Sequence, residues 1–104
     1  MKIYKIRYSE EFVGHLESYL KDLEEKSPRA ADKLRRNIRK HIIHLKKFPR
    51  QWGKVQSPVE RLTKYRKIVL IFDYLLFYEF DEKNEIVNIV DIVYGRKNYY
   101  HLLS

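Results

Sequence analysis

The chain has 104 residues, enough for one domain with its own core, and its 44% hydrophobic and 35% charged residues are typical of a folded protein. Cysteine is absent, which excludes disulfides and thiolate chemistry, and no run of residues reaches the roughly 20 apolar positions of a membrane span. The formal net charge of +8 favours a polyanionic partner, either nucleic acid or an acidic protein. We therefore expect a single cytoplasmic domain over residues 1–104.

The N-terminal half has the pattern of one strand followed by two helices. Basic and apolar side chains alternate over residues 3–8, as they do in a strand. Ser9 can cap a helix, and the apolar spacing after it predicts a helix over about residues 10–24. Ser27 and the proline after it form a second start signal, and Pro49 stops this second helix.

The two predicted helices are separated by only about three residues, so they should form an antiparallel hairpin whose apolar stripes face the sheet. Apolar side chains recur every three or four residues along the second helix, and Phe48 should close its stripe. The predicted stripe of the second helix consists of Ala31, Leu34, Ile38, Ile42 and Leu45.

The C-terminal half is rich in Val, Ile, Tyr and Phe and reads as three strands. Two strand-like runs are broken near Asp73, a polar turn follows at residues 81–84, and Gly95 ends the third run. Their connections are too short for parallel crossovers, so the three strands should form an antiparallel meander. The predicted fold class is therefore α+β, in the order strand-helix-helix-strand-strand-strand, with the helical hairpin packed on a mainly antiparallel sheet.

Two arginines lie at the borders of this apolar region. Arg66 begins the first run, and Arg96 lies just beyond the last. Strands that pair side by side would bring both onto one surface, where two permanent cations make an anion site. The alternative for Arg66 is an ion pair with Glu79 or Asp91 across the sheet, and the alternative for Arg96 is simple exposure after a strand end.

Between residues 35 and 67 the charge is almost entirely positive, and only Glu60 opposes it. One-sided charge repels itself, so a face that binds a polyanion explains the block better than a merely solvated surface. Lys54, next to the flexible Gly53, is well placed to reach a phosphate. The second helix contributes four cations that should point away from its apolar stripe: Arg35, Arg36, Arg39 and Lys40.

Trp52 and two histidines also have more than one interpretation. In an irregular loop, a lone tryptophan more often covers the edge of a core than stacks on a base. His41 and His44 have a spacing that metal sites use, but no acidic or cysteine companion lies nearby and such sites need three or four ligands. We therefore predict no metal and no cofactor.

Several segments, taken in order, resemble the RelE/ParE superfamily of toxins from bacterial type II toxin–antitoxin pairs. They are YKIRYSEEF, the Ser-Pro-x-Ala-Ala helix start at Ser27, LKKFP, KYRKIV, YLLFYEFDEKNEIVNIVDIVYGR and the ending RKNYYHLL. The resemblance covers nearly the whole chain and implies the α+β fold predicted above. It implies two activities, because RelE-like members cleave mRNA in the ribosomal A site whereas ParE-like members inhibit DNA gyrase.

The resemblance also implies roles for particular residues. Arg66 and Arg96 match arginines that stabilise the phosphate during RNA cleavage, and Tyr100 matches a C-terminal tyrosine base, with Tyr99 competing for that role. Lys54 and Lys64 correspond to basic residues that flank the site. The sequence departs from RelE-like nucleases in having no histidine in the sheet and a short tail, and VYGRKN is similar to the ends of many ParE-like members too.

Three functions follow as hypotheses. The first is a ribosome-dependent, metal-independent mRNA endoribonuclease, the second is a non-enzymatic gyrase inhibitor, and the third is a non-catalytic basic RNA-binding protein. The toxin hypotheses imply a cognate acidic antitoxin that covers the basic surface by adding a strand or laying a helix in a groove. Its expected contacts include the C-terminal residues Tyr99, Tyr100, Leu102 and Leu103.

Overall fold

A computed structural model describes residues 2–56 and 63–95 of the chain. The described elements are β1 (Lys5–Tyr8), α1 (Glu10–Lys26), α2 (Pro28–Leu45), β2 (Arg66–Val69), a short 3-10 helix (Ile71–Asp73), β3 (Tyr74–Asp81) and β4 (Ile86–Tyr94). The predicted element order and the α+β fold class are confirmed. Within the described part of the chain, neither helix is both long and apolar enough to span a membrane.

The four strands form one mixed sheet in the order β1-β4-β3-β2. β2 pairs with β3 and β3 with β4 in antiparallel fashion, which confirms the meander, whereas β1 pairs with β4 in parallel. A parallel pair requires a long crossover, and here the helical hairpin and the first two strands of the meander supply it. In this order β1 and β2 are the two edge strands.

One residue, Ser27, joins the two helices, so the hairpin is tighter than the sequence predicts. The backbone N–H of Ser27 donates to the Leu23 carbonyl at 2.6 Å, and its Oγ accepts from the Ala30 N–H at 3.2 Å. The serine therefore caps the end of α1 and the start of α2 together. At the other end α2 stops at Leu45, and Phe48 lies half-exposed beyond it instead of closing the apolar stripe.

The main core lies between the helices and the sheet. All five predicted stripe residues of α2 are buried. Leu34, Ile38, Ile42 and Leu45 pack with Phe12 of α1 against the sheet residues Ile68 and Tyr78. A second cluster occupies the opposite face of the sheet and consists of Val55, Leu75, Phe77 and Val93, with Tyr65 and Val90 at its border.

Helix α1 closes the edge of β4 that β1 leaves uncovered. A bulge interrupts the β3–β4 pairing at Val90, whose carbonyl accepts a hydrogen bond from the Oγ of Ser9 at 2.5 Å. Farther along, the backbone N–H of Tyr94 donates to the Oη of Tyr19 at 3.2 Å. Side chains of α1 and of its N-cap residue thus satisfy backbone groups that would otherwise form an open strand edge.

Candidate functional site

Lys54 and Arg66 lie side by side at the edge of the sheet. They form an isolated antiparallel bridge, flanked by hydrogen bonds from Val55 N to Tyr65 O (2.8 Å) and from Lys67 N to Gly53 O (3.2 Å). Residues that oppose each other in an antiparallel pair carry their side chains on the same face. The burial of Val55 agrees with this placement, because successive residues of a strand point to opposite faces and Val55 belongs to the second cluster on the other face of the sheet. Two cations therefore share one face at this edge.

The guanidinium of Arg66 also holds the preceding loop against the sheet. Its Nη1 donates to the carbonyls of Trp52 at 2.6 Å and Arg50 at 3.4 Å. The alternative prediction, an ion pair of Arg66 with Glu79 or Asp91, is wrong, because both carboxylates interact with other residues. Glu79 pairs with the Nζ of Lys64 at 3.7 Å, and Asp91 hydrogen-bonds to the Nδ1 of His15 at 2.6 Å. The structural role of Arg66 is thus directed at backbone carbonyls.

Tyr78 faces Arg66 across the β2–β3 pair but is unsuited to proton transfer. It is fully buried, and its hydroxyl donates to the Pro49 carbonyl at 2.8 Å. Burial raises the pKa of Tyr78 to about 12, although the Arg66 charge and a backbone hydrogen bond with Trp52 act in the opposite direction. A base for RNA cleavage would have to come from another residue.

The remaining predicted cations differ in their surroundings. Lys64 is exposed, and its Nζ lies over the Tyr65 ring, 5.2 Å from the centroid, as well as near Glu79. Arg35 is half-buried and pairs with Glu24 at 3.1 Å and Asp32 at 3.6 Å, so much of its charge is already neutralised. In the described part of the chain, no such carboxylate lies within 4 Å of Arg36, Arg39 or Lys40, which are all exposed.

Cations of α2 and of the turn after it border two neighbouring depressions instead of forming a single face, and Arg36 lines neither of them. On one side, a groove of about 360 Å³ runs between α1 and α2, with Leu16, Leu20, Ile38 and Ile42 in its lining and Arg35, Arg39 and Lys46 beside them. Next to it, Lys40 and Lys47 border a second cleft near Trp52, and Ile43 lines both depressions. The sequence does not show this division, because it depends on where the neighbouring helix and loop pack.

The predictions for Arg96, Tyr99 and Tyr100 lie outside the described residues. Gly95, which precedes Arg96, donates its N–H to the Asp73 carbonyl at 2.9 Å, whereas Arg66 lies opposite Tyr78. Asp73 directly precedes β3 and is five positions from Tyr78, a span of up to about 17 Å at roughly 3.4 Å per residue. A joint anion site of the two arginines stays a prediction that depends on the chain after Gly95.

Among the described residues, neither histidine of α2 belongs to a group that could bind a metal ion. The described residues contain no cluster of three or more His, Cys, Asp or Glu side chains that could hold a metal ion. His41 instead packs edge-on against Trp52, with 5.5 Å between ring centroids, and the Nε2 of His44 hydrogen-bonds to the amide oxygen of Gln51. Trp52 itself packs against the main core, as the preferred interpretation of the sequence predicts.

The fold is similar to that of several solved toxin structures. The chromosomal ParDE TA system from P. aeruginosa matches with a TM-score of 0.71 and 14% identity, covering 90% of this chain and 98% of that chain. The isolated E. coli RelE toxin matches with a TM-score of 0.61 and 14% identity, covering 95% and 92%. The RelBE2 toxin–antitoxin complex from Mycobacterium tuberculosis matches with a TM-score of 0.57 and 17% identity, covering 94% and 97%.

Two helices on a four-stranded mixed sheet, shared with these structures, define the RelE/ParE-like fold. The family profile described as ParE toxin of type II toxin–antitoxin system, parDE, matches residues 6–99. The chain therefore belongs to this family of type II toxin–antitoxin toxins, within the RelE/ParE superfamily. No curated protein sequence matches it.

Proposed function

We propose that this toxin blocks translation as a ribosome-dependent mRNA endoribonuclease of the RelE kind. The observation that supports it is the position of Lys54 beside Arg66 on one face of the sheet edge. In such a cleavage the ribose 2′-hydroxyl attacks the adjacent phosphate, and negative charge develops on the phosphorane. Arginine does not release its proton at neutral pH, so Arg66 would stabilise that charge rather than transfer protons.

The guanidinium of Arg66 would use a different edge for this purpose from the one that holds the loop. Nη1 makes both hydrogen bonds to the loop carbonyls, so a phosphate would be bound through Nε and Nη2. Lys54 would add a second positive charge from the neighbouring segment. Tyr100 remains the proposed base and Arg96 the proposed second arginine, since Tyr78 is excluded by its high pKa.

A second candidate is inhibition of DNA gyrase without cleavage, in the manner of ParE-like toxins. Two observations favour it: the matching family profile is that of ParE toxins, and Arg66 already has a structural role at the loop carbonyls. In this case the basic surface would bind a protein target or its DNA. The two candidates differ in whether RNA is cut.

Under either candidate, we propose that a cognate acidic antitoxin neutralises the toxin. Two of the similar structures are described as a toxin–antitoxin system or complex. The groove between α1 and α2 offers an apolar floor and a basic rim, which suits an amphipathic helix with acidic flanks. The rim residues Arg39 and Lys46 would contact its carboxylates.

Single-turnover cleavage of mRNA on programmed ribosomes tests the proposed nuclease. Lys54→Gln is the informative variant, because Lys54 is exposed and its loss removes charge without removing a core contact. We expect cleavage to slow by roughly 10- to 100-fold, as for a lost charge that stabilises a transition state. Lys21→Gln on α1 is the matched control and should cleave normally. If the wild-type protein cuts nothing while gyrase stalls in its presence, the ParE-like candidate replaces the nuclease.

A further inference from the structure

A second basic and aromatic site lies at the C-terminal end of α2. A cleft of about 470 Å³ opens there beside Trp52 and falls within the size range of small-molecule sites. Its lining includes Lys40, His41, His44, Lys47, Phe48 and Trp52. None of the described residues that line it is acidic.

The aromatic side chains of this cleft are held in place from behind. Trp52 is half-buried against the main core, and its carbonyl accepts the 2.6 Å hydrogen bond from Arg66. Phe48 is 48% exposed, and its ring lies 4.9 Å from that of His44 at an interplanar angle of 37°. A fixed indole and an exposed phenyl ring are the surfaces on which nucleic-acid bases stack.

The polar groups of the cleft suit a nucleotide as well. Lys40 and Lys47 provide positive charge at its border, and no carboxylate pairs with either of them in the described part of the chain. Burial, followed by the charges of Lys40 and His44, lowers the pKa of His41, so its imidazole is neutral at neutral pH. A neutral imidazole can both donate and accept a hydrogen bond, as recognition of a base edge requires.

We propose that this cleft binds one nucleotide of a single-stranded nucleic acid, with the base against Phe48 and Trp52 and the phosphates on Lys40 and Lys47. Covering the core explains the buried part of Trp52, but it does not explain the exposed phenyl ring or the unopposed lysines beside it. The cleft adjoins the Lys54–Arg66 pair through Trp52. The site goes beyond the proposed function, because it requires neither a ribosome nor cleavage.

Trp52 is the only tryptophan of the chain, so its fluorescence reports directly on the cleft. The probe is the octanucleotide of uridine, titrated into the full-length protein at 50 mM salt without ribosomes. We expect saturable quenching of the Trp52 fluorescence. In Lys40→Gln/Lys47→Gln the affinity for the oligonucleotide should fall about tenfold. The slope of log affinity against log salt should be less steep by about 1.4 in this variant, or about 0.7 per phosphate. Phe48→Leu, which keeps an apolar side chain without a ring, should weaken binding about fivefold or more.

The matched control for charge is Lys21→Gln/Lys26→Gln, two exposed positions of α1, which should bind like the wild type. Equal weakening in this control, or oligonucleotide binding seen by anisotropy with unchanged Trp52 fluorescence, would overturn the site. Equal quenching by inorganic polyphosphate would reduce it to an anion site, and equal quenching by an oligoglutamate peptide would assign it to a protein partner. Thermal melts of every variant check that folding is preserved. Lys40 and Lys47 are also changed one at a time. If the wild-type protein binds the oligonucleotide but cleaves no mRNA, the result counts against the proposed nuclease and not against this site.

Discussion

At Arg66 a single side chain has both a structural and a proposed chemical role, which changes how its substitution must be interpreted. The sequence suggests an exposed cation at a strand start, for which a substitution would cost no more than about 0.5 kcal/mol. The structure instead shows a half-buried guanidinium that donates to the carbonyls of Trp52 and Arg50. Reduced activity of an Arg66 variant therefore does not by itself demonstrate a chemical role.

Arg66→Gln should lower the free energy of unfolding by about 1–2 kcal/mol, because hydrogen bonds from a charged group to backbone carbonyls are lost. Lys54→Gln, at the neighbouring exposed position, should change it by no more than about 0.5 kcal/mol. Urea denaturation of both variants gives the comparison. Equal stability of the two variants would contradict the structural role of Arg66, whereas slow cleavage by a fully stable Lys54 variant supports a chemical role for the pair.

The protonation of His41 should be visible in the fluorescence of Trp52, because a protonated imidazole quenches a neighbouring indole. Burial, Lys40 and His44 all lower the pKa of His41, so we expect the transition below the ordinary value of 6.5. The folded pKa is below the unfolded one, so stability from this group is present above pH 6.5 and decreases as pH falls through the folded pKa. A pH titration should show a transition that His41→Gln removes and His15→Gln retains. A transition above 6.5 would disagree with this account.

At the scale of secondary structure, the sequence predicts what depends on local spacing. The α2 stripe is buried at every predicted position, and the break near Asp73 is present as a 3-10 turn, because periodicity and turn chemistry are properties of neighbouring residues. The pairing of Lys54 with Arg66 has no such signal. The strand-like piece at residues 53–55 is too short to show alternation, and it is defined only by its bridge to β2.

Ser9 illustrates the same difference in one residue. Its role as N-cap of α1 is predictable from the sequence, and its Oγ accepts from the Phe12 N–H at 3.0 Å. Its second role is not predictable, because the 2.5 Å hydrogen bond from Oγ to the Val90 carbonyl crosses 81 residues of chain. The hydroxyl therefore joins the start of α1 to the bulge in β4.

Ser9→Ala should consequently destabilise the protein more than loss of an ordinary cap. We expect the free energy of unfolding to fall by about 2 kcal/mol, the upper end for a capping serine, because a bulge carbonyl also loses its donor. Ser18→Ala, at an exposed position of α1, is the control and should stay within about 0.5 kcal/mol. Thermal or urea unfolding measures both variants. A cost for Ser9→Ala no larger than the control's would show that neither hydrogen bond contributes.

At the scale of the whole molecule, the net charge of +8 is distributed over surfaces of different character. The groove between the helices is apolar in its floor and basic at its rim, whereas the cleft near Trp52 is aromatic and basic. An acidic amphipathic helix suits the first surface, and phosphates with bases suit the second. The composition predicts a polyanionic partner but not that two partners could use neighbouring surfaces of α2 and the turn after it.

Two charge reversals of equal size should therefore have opposite effects. Arg39→Glu/Lys46→Glu changes the groove rim, and Arg36→Glu/Lys40→Glu changes the row of α2 that leads to the cleft, since positions four apart lie on one helix face. We expect the first variant to lose antitoxin affinity by about 10- to 100-fold in calorimetry, because each reversal places like charges together. It should still cosediment with ribosomes.

The second variant, Arg36→Glu/Lys40→Glu, should bind antitoxin normally but lose ribosome cosedimentation. Its remaining ribosome binding should depend less steeply on salt concentration. Both reversals leave Arg35 and its ion pairs intact, and thermal melts check that both variants fold. Parallel losses of both partners in both variants would mean that net charge alone, not two separate surfaces, determines what this toxin binds.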